Sequence, residues 1–284
     1  MRPHLLAFLE SHGLGSIGFL IPTPGIVWSM ALIVLVTLYV RRSTRWGLSV
    51  DHALWSAAVA TVAGVIGARL YYLLNSGAIL HTTPAEWISS GETGSWGVYL
   101  GAILGIGIYF RRARIAAWPH WDTLASCLAL STCIGRCACF LEGCDFGRIT
   151  SLPWAVQFPS GSHAHVAHVA QGMLSPSAAL SLPVHPYQLY LSVSALLVFV
   201  VVTWVWRRWR TTPGVTLATW LALYGASRFL WGFLRDPAAG GAVGTLSSSQ
   251  WMCLLLLGFA GVVVWSRFGG RMSSERSLLA RDTH

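Results

Sequence analysis

The stretch that decides the fold is residues 187–206, YQLYLSVSALLVFVVVTWVW, a run of twenty residues without a charged side chain. A transmembrane helix needs about 20 predominantly apolar residues to cross a hydrocarbon core of about 30 Å. Six further apolar runs lie near 17–40, 53–75, 96–110, 119–141, 214–234 and 250–266. The sequence therefore predicts an all-α membrane protein with about seven transmembrane helices.

The overall composition agrees with a membrane protein. Hydrophobic residues make up 54% of the chain and charged residues only 10%, whereas a soluble domain carries about 25% charged residues. The net charge is +9, and all nineteen basic residues are arginine, since the chain contains no lysine. The arginines form short clusters between apolar runs instead of a basic face on a soluble fold. We therefore expect no nucleic-acid partner.

The arginine clusters predict the orientation of the chain. Thirteen of the nineteen arginines follow the first, third, fifth and seventh runs, in 41–45, 111–114, 207–210 and 267–281. Basic residues stay on the cytoplasmic side, so the N-terminus is predicted outside and the C-terminus inside. No removable signal peptide is predicted.

The pattern of apolar runs and arginine clusters also divides the chain into regions. Residues 1–266 are predicted to form a single transmembrane domain. Within it, residues 142–186 contain proline, glycine and serine but no run able to span, which predicts a structured extracytoplasmic loop. Residues 267–284 are predicted to form a disordered cytoplasmic tail.

Three arginines remain inside the predicted spans: Arg69, Arg136 and Arg228. A charged side chain at the bilayer centre costs at least about 2.5–3.5 kcal/mol, and such residues usually face the bundle interior or a wet cavity. A single arginine near a helix end can instead extend its charged group to the interface. Few acidic residues lie inside the predicted spans to pair with them, and arginine binds phosphate bidentately. The three together therefore predict a site of unpaired guanidinium groups for an anionic lipid headgroup.

Four motifs match, in chain order, those of one bacterial enzyme family. Residues 135–148, GRCACFLEGCDFGR, resemble its signature G-R-x-G-N-F-x-N-G-E-x-W-G-R. Residues 67–72, GARLYY, resemble G-G-R-x-x-Y, and residues 185–190, HPYQLY, resemble H-P-S-Q-L-Y. Residues 228–235, RFLWGFLR, resemble R-F-x-x-x-F-x-R. The family is that of the prolipoprotein diacylglyceryl transferases, and the resemblance covers about residues 20–240.

The resemblance implies an enzyme of the bacterial inner membrane. It transfers the diacylglyceryl group of phosphatidylglycerol to the lipobox cysteine thiol of a prolipoprotein. The implied partners are phosphatidylglycerol, the prolipoprotein signal peptide and membrane lipids; the chain is expected to be a monomer without a cofactor. The residues implied for catalysis are Arg136, Arg228, Tyr99, His185 and Glu142. Those implied for phospholipid binding are Arg69, Arg136, Arg228, Gly147, Gln188 and Tyr190.

The chain departs from the family pattern inside the predicted site. The two signature asparagines are replaced by Cys139 and Glu142, and the signature glutamate by Cys144. The histidine of a further motif, F-H-G-G, is Tyr99, and the acid four residues after the R-F arginine is Gly232. An alternative interpretation is therefore a paralogue that binds phospholipid or peptide without this activity.

These departures leave the group that accepts the thiol proton open. A tyrosine, with an ordinary pKa near 10, is a poorer base at neutral pH than a histidine. Tyr99 therefore either donates a hydrogen bond only, or another group takes the proton. The candidates are Glu142, Asp145 and His185.

Cysteines and histidines raise a third possibility, a thiol- or metal-dependent membrane enzyme. Cys139 and Cys144 lie where the fourth span meets the outward loop, where they can form a disulfide or a reactive thiol pair. His163, His165 and His168 are weak metal candidates, because His165 and His168 share one face if the segment is helical. Solvated loop histidines are the simpler alternative, and no metal is expected.

Overall fold

The computed structural model describes residues 23–75, 83, 95–209, 211–239, 242–243 and 245–279. The described residues form eight α-helices: α1 Thr23–Arg45, α2 Val50–Asn75, α3 Ser95–Arg112, α4 Ala117–Glu142, α5 His163–Ala170, α6 Tyr187–Arg208, α7 Val215–Trp231 and α8 Ser248–Leu279. Two 3-10 turns, Gly232–Leu234 and Pro237–Ala239, follow α7. A hairpin of β1, Ala242–Val243, and β2, Leu246–Ser247, precedes α8.

Five of these helices are long and apolar enough to cross a membrane. The candidate spans are Pro24–Arg45, Val50–Leu74, Ala117–Glu142, Tyr187–Arg208 and Ser248–Arg267, with mean hydropathies between 1.6 and 2.2. At about 1.5 Å per residue, helices of 20 to 26 residues are long enough for a hydrocarbon core of about 30 Å. The chain is therefore an all-helical, multi-pass membrane protein, as its hydropathy predicts.

Two of the seven predicted spans form shorter helices. Helix α3 has 18 residues and carries Arg111 and Arg112 in its last turn. Helix α7 has 17 residues, because the chain tightens into a 3-10 turn at Gly232. The count of seven spans, and the orientation that depends on it, stay predictions. The start predicted for the first span, residue 17, lies outside the described residues.

The chain forms two compact units, residues 36–121 and residues 1–35 with 122–284. Within the first, α2 and α3 approach closely at glycines: a Cβ on Gly67 would overlap the backbone of Gly97 and Gly101. Small residues permit such contact between membrane helices. The Tyr39 hydroxyl lies 3.2 Å from Ser56 Oγ and 3.0 Å from His120 Nδ1.

In the second unit, the segment between α4 and α6 is ordered by its own core. Phe146, Phe158, Ala164 and Val184 form a buried cluster. Short backbone bridges pair Ile149 and Val156 with Val184. Helix α5, which the sequence analysis does not predict, begins where the Ser162 side chain accepts a hydrogen bond from the His165 N–H.

The C-terminal helix continues beyond its predicted end at residue 266. Helix α8 extends to Leu279, so part of the predicted disordered tail is helical here. No proline interrupts residues 267–279, and the backbone continues the hydrogen-bonding pattern of the span. The last residues of the predicted tail, 280–284, lie outside the described part of the chain.

Candidate functional site: an arginine cage around Asp145

Three arginines from separate parts of the second unit converge on one carboxylate. Arg136 lies near the end of α4, Arg228 in the last turn of α7, and Arg235 directly after the 3-10 turn. The carboxylate belongs to Asp145, three residues beyond the end of α4, where the backbone is left-handed with φ +54°. We call Arg136, Arg228 and Arg235 around Asp145 the arginine cage.

The contacts within the cage are short. Arg136 Nη1 donates to Asp145 Oδ2 at 2.5 Å, and both Nη atoms of Arg228 lie 3.4 Å from the same oxygen. Arg235 Nη2 lies 2.5 Å from Asp145 Oδ1 in an ion pair without hydrogen-bond geometry. The four side chains are only 11–13% exposed, so these charges interact in a partly desolvated site where Coulomb forces exceed those in water.

The three guanidinium groups change the acidity of Asp145. Burial by itself would raise the pKa of this carboxyl, but the positive charges of Arg228, Arg136 and Arg235 outweigh burial and hold the pKa below its ordinary value. Asp145 is therefore ionised at neutral pH and is a weak proton acceptor.

Backbone pairing fixes the signature segment against the end of α7. The Arg148 N–H donates to the Leu234 carbonyl at 2.8 Å, and Gly147 forms a bridge with Arg235. A Cβ on Gly147 would lie 2.7 Å from both Cβ and the carbonyl oxygen of His185. Gly147 thus permits the close backbone approach that positions two cage residues, while its predicted contact with lipid stays a prediction.

Tyr187 holds Arg228 from the other side. Its hydroxyl accepts a hydrogen bond from Arg228 Nη1 at 2.9 Å, and the guanidinium carbon lies 5.6 Å from the ring centroid. Tyr187 is fully buried in the first turn of α6. A cation over an aromatic face is stabilised further, so Arg228 is oriented by one neutral and one anionic partner.

The remaining residues of the H-P-Y-Q-L-Y segment make local contacts. Gln188 is fully buried, and its Nε2 donates to the Cys144 carbonyl at 2.7 Å. The Tyr190 hydroxyl accepts from Trp154 Nε1 at 2.8 Å and lies 3.3 Å from His185 Nδ1. Gln188 therefore supports the loop that carries Asp145, and substrate contact by Gln188, Tyr190 or His185 stays a prediction.

The predicted thiol site contains two free cysteines. Cys139 is buried, and Cys144 Sγ lies 3.7 Å from the Cys139 carbonyl oxygen. Hydrogen bonding to Cys139 and burial raise the pKa of the Cys144 thiol, which is therefore protonated at neutral pH. A thiolate is the reactive form of cysteine, so the raised pKa does not favour Cys144 as a nucleophile.

The three histidines of the loop do not converge. His163 is exposed, whereas His165 and His168 are buried on one face of α5. The shared face agrees with the helical alternative, and the expectation of solvated loop histidines is wrong for these two. His165 Nε2 lies 2.8 Å from the Ala178 carbonyl oxygen, and His168 Nδ1 accepts from the Leu182 N–H at 3.2 Å. Across the described ranges, no group of three or more histidine, cysteine, aspartate or glutamate side chains is placed to share a metal ion.

The structure brings together two of the three arginines predicted to bind the lipid headgroup. Arg136 and Arg228 meet, but both pair with Asp145, which Arg235 also contacts, so the prediction of unpaired guanidinium groups was wrong. Arg69 and Tyr99 belong to the other compact unit, where the Arg69 guanidinium lies 5.4 Å from the Tyr72 ring centroid. Their roles at the site stay predictions.

The sequence interpretation missed Arg235 and Tyr187 as site residues. Arg235 closes the R-F-x-x-x-F-x-R motif, so its place in that motif was the available signal. Tyr187 stands where the family motif has serine, and nothing in its sequence position indicated that it contacts Arg228. Glu142 is exposed at the end of α4, and its predicted catalytic role stays untested.

A small cavity of about 90 Å³ adjoins the cage and includes Arg235, Arg148, Gly232 and Gln250 in its lining. Gly232 is packed against Gln250: a Cβ there would lie 2.8 Å from Gln250 Cγ. The nitrogen Nε of Arg235 is buried and has no hydrogen-bond acceptor among the described residues. The cage thus contains one buried guanidinium N–H that no described residue accepts.

Comparisons with known proteins point to one family. The family model for prolipoprotein diacylglyceryl transferase matches residues 14–266. A phosphatidylglycerol–prolipoprotein diacylglyceryl transferase of Rhizobium meliloti is 33% identical over 222 residues, 76% of this chain and 71% of the relative. One from Clostridium tetani is 27% identical over 269 residues, 94% and 97% of the two chains. One from Neisseria gonorrhoeae is 30% identical over 251 residues, 83% and 88%. With its spanning helices, three of its motif arginines in one cage and a family match over nearly its whole length, this chain belongs to the prolipoprotein diacylglyceryl transferase family.

Proposed function

We propose that this chain transfers the diacylglyceryl group of phosphatidylglycerol to the lipobox cysteine thiol of prolipoproteins. The observation that carries the proposal is the arginine cage, because three guanidinium groups in a partly buried site suit a lipid phosphate. The names of the similar transferases supply the lipid and the protein acceptor.

The cage suits the charge changes of this reaction. The thiol sulfur bonds to the terminal glyceryl carbon of the diacylglyceryl group, the bond from that carbon to the phosphate oxygen breaks, and glycerol phosphate leaves. The leaving phosphate monoester carries more negative charge than the phosphodiester substrate. Fixed positive groups aimed at this developing charge lower the barrier. Arg136, Arg228 and Arg235 take this role, and the adjoining cavity offers space beside Arg235.

The thiol proton needs an acceptor. Asp145 is the weakest of the three candidates, because its ion pairs with the cage stabilise the unprotonated carboxylate. Glu142 and His185 remain, and Tyr99 is retained as a hydrogen-bond donor. Glu142 is exposed on the last turn of α4, three residues before Asp145 in the chain, which makes it accessible to an acceptor peptide.

The proposal includes the setting of the enzyme. We place it in the bacterial inner membrane as a monomer with seven spans, the N-terminus outside and the loop of residues 142–186 on the outer side. This orientation is supported by the thirteen arginines of alternate connections. It would put the cage at the outer ends of α4 and α7, where a lipid headgroup and a secreted signal peptide are both available.

The decisive experiment expresses the chain in a bacterial strain depleted of its own diacylglyceryl transferase. We expect growth and diacylglyceryl-modified prolipoprotein, detected by mass spectrometry of the acceptor peptide. Arg136→Ala and Arg228→Lys should reduce transfer by about 10²-fold or more, because each removes a guanidinium contact with the transition-state charge.

Arg207→Ala is the matched control, since Arg207 is exposed at the far end of α6 and should leave transfer unchanged. Absence of lipid-modified acceptor with normally inserted protein would reject the transferase function. If purified protein still bound phosphatidylglycerol in that case, the chain would be a lipid-binding paralogue. Undiminished transfer by Arg136→Ala would reject the site.

A further inference from the structure

We propose that Asp145 is a resident counter-ion that competes with the lipid phosphate for the arginine cage and so sets the anion affinity of the site. The inference deepens the proposed function and rests on it for the nature of the ligand. Asp145 acts here as a positioning residue, since it works through the three arginines.

The acidic groups of this chain stand at other positions than those of the family motifs. Neither of the two family acids is present: Cys144 replaces one and Gly232 the other. Gln250 packs against Gly232, so the space beside that position is taken by a neutral side chain. The carboxylate that pairs with the cage stands instead at Asp145, one residue after the signature glutamate position.

The second observation is that Asp145 uses the donors a phosphate would need. Its Oδ2 faces Arg136 and Arg228, and its Oδ1 faces Arg235. Carboxylate and phosphate oxygens accept from guanidinium groups with the same forked geometry. An anion that binds these donors must therefore displace the Asp145 carboxylate, at least in part.

The third observation is the charge of the assembly. Arg136, Arg228, Arg235 and Asp145 together carry two net positive charges, and loss of the aspartate charge makes that three. A phosphate monoester carries about −1.5 to −2 at neutral pH. The assembly with Asp145 ionised is therefore balanced by the leaving group, whereas a cage without Asp145 would bind anions more tightly and release the product more slowly.

The test measures how added anions protect the purified full-length chain, in micelles of a neutral detergent, from thermal unfolding. A ligand that binds the folded state stabilises it according to its concentration and Kd. Asp145→Asn should lower the inorganic phosphate concentration needed for half-maximal protection by at least about tenfold, because one negative charge is removed a few ångströms from the anion. Asp51→Asn, an exposed carboxylate in the first turn of α2, is the matched control and should change it less than about twofold.

A second pair of variants tests the proposal if Asp145→Asn does not fold. Arg235→Gln is compared with the double variant Arg235→Gln/Asp145→Asn, whose assembly retains two net positive charges. The double variant should again bind phosphate at least about tenfold more tightly than its parent. Unchanged or weaker phosphate binding after loss of the Asp145 charge, in either background, would overturn the proposal.

Lipid and free phosphate are distinguished by a parallel titration with phosphatidylglycerol, with phosphatidylcholine as the zwitterionic comparison. If Asp145→Asn lowers the phosphatidylglycerol concentration needed for half-maximal protection tenfold, the competing ligand is a lipid phosphodiester. A shift for inorganic phosphate with none for phosphatidylglycerol would overturn the lipid assignment. In transfer assays, Asp145→Asn should lower both the KM for the lipid and kcat. If the wild-type chain shows no transfer but its phosphate binding still depends on Asp145, only the proposed function is rejected.

Discussion

Asp122 connects the helix that carries Arg136 to the start of the helix that carries Arg228. Its two carboxylate oxygens accept hydrogen bonds from the backbone N–H groups of Gly214 at 2.7 Å and Leu217 at 2.8 Å, and the residue is buried. The first N–H groups of a helix have no partner within the helix, and the positive end of the helix dipole stabilises a negative charge there. Asp122 therefore caps α7 from α4.

Replacing Asp122 by alanine removes both acceptors and leaves two N–H groups without them. A buried donor left unsatisfied costs about 1–3 kcal/mol. We therefore expect Asp122→Ala to lower the free energy of unfolding by about 2–6 kcal/mol over the two donors. Asp122→Asn keeps one acceptor oxygen and should lose roughly half of that amount.

The assay is unfolding of the purified chain in mixed detergent micelles, followed by far-UV circular dichroism as the denaturing detergent is increased. Asp51→Asn is the control, because an exposed substitution of this kind usually changes stability by less than about 0.5 kcal/mol. The capping argument is refuted if Asp122→Ala unfolds at the same detergent fraction as the wild-type chain.

Three further predictions concern the cage and its loop. Gly147→Ala should lower the free energy of unfolding by about 1–3 kcal/mol, because the new Cβ would lie 2.7 Å from the His185 carbonyl oxygen. Gly258→Ala is the control, since a Cβ there meets open space, and equal stability of the two variants would contradict the prediction. Because the pKa of Asp145 is lowered on folding, its stabilisation is complete above the ordinary carboxyl pKa of about 4 and is lost as the pH falls below it; unfolding measured against pH should show this loss, and a wild-type profile that matches Asp145→Asn would count against it. The raised pKa of the Cys144 thiol predicts slow alkylation at neutral pH in the folded chain compared with the same thiol in the denatured chain, and equally rapid labelling of Cys144 in both states in a mass-spectrometric time course would reverse that conclusion.

The helices could be predicted from the sequence because their signals are local. Length and hydropathy set where a span begins and ends: the run predicted at 119–141 forms Ala117–Glu142, and that predicted at 187–206 forms Tyr187–Arg208. Helix α5 was missed because it is short and is stabilised by burial of Ala164, His165 and His168 in the loop. No spanning run marks such a helix.

The family could also be inferred from the sequence, because its motifs are short and keep their order. The motifs identified Arg136 and Arg228 as site residues, and the structure brings them together. The motifs indicated no acidic partner for either arginine, so unpaired guanidinium groups were predicted. The pairing with Asp145 corrects that expectation.

Only the tertiary structure decided which charges meet. Arg136, Asp145, Arg228 and Arg235 come together because the ends of α4 and α7 are adjacent and the backbone of Gly147 bridges to Arg235. The strength of an ion pair depends on distance and burial, and neither can be read from spacing along the chain. Hydropathy and motif order thus determined that this is a membrane transferase with arginines inside its apolar helices. The packing of two helix ends determined that those arginines surround a carboxylate, because an ion pair within a few ångströms requires groups that only folding brings together.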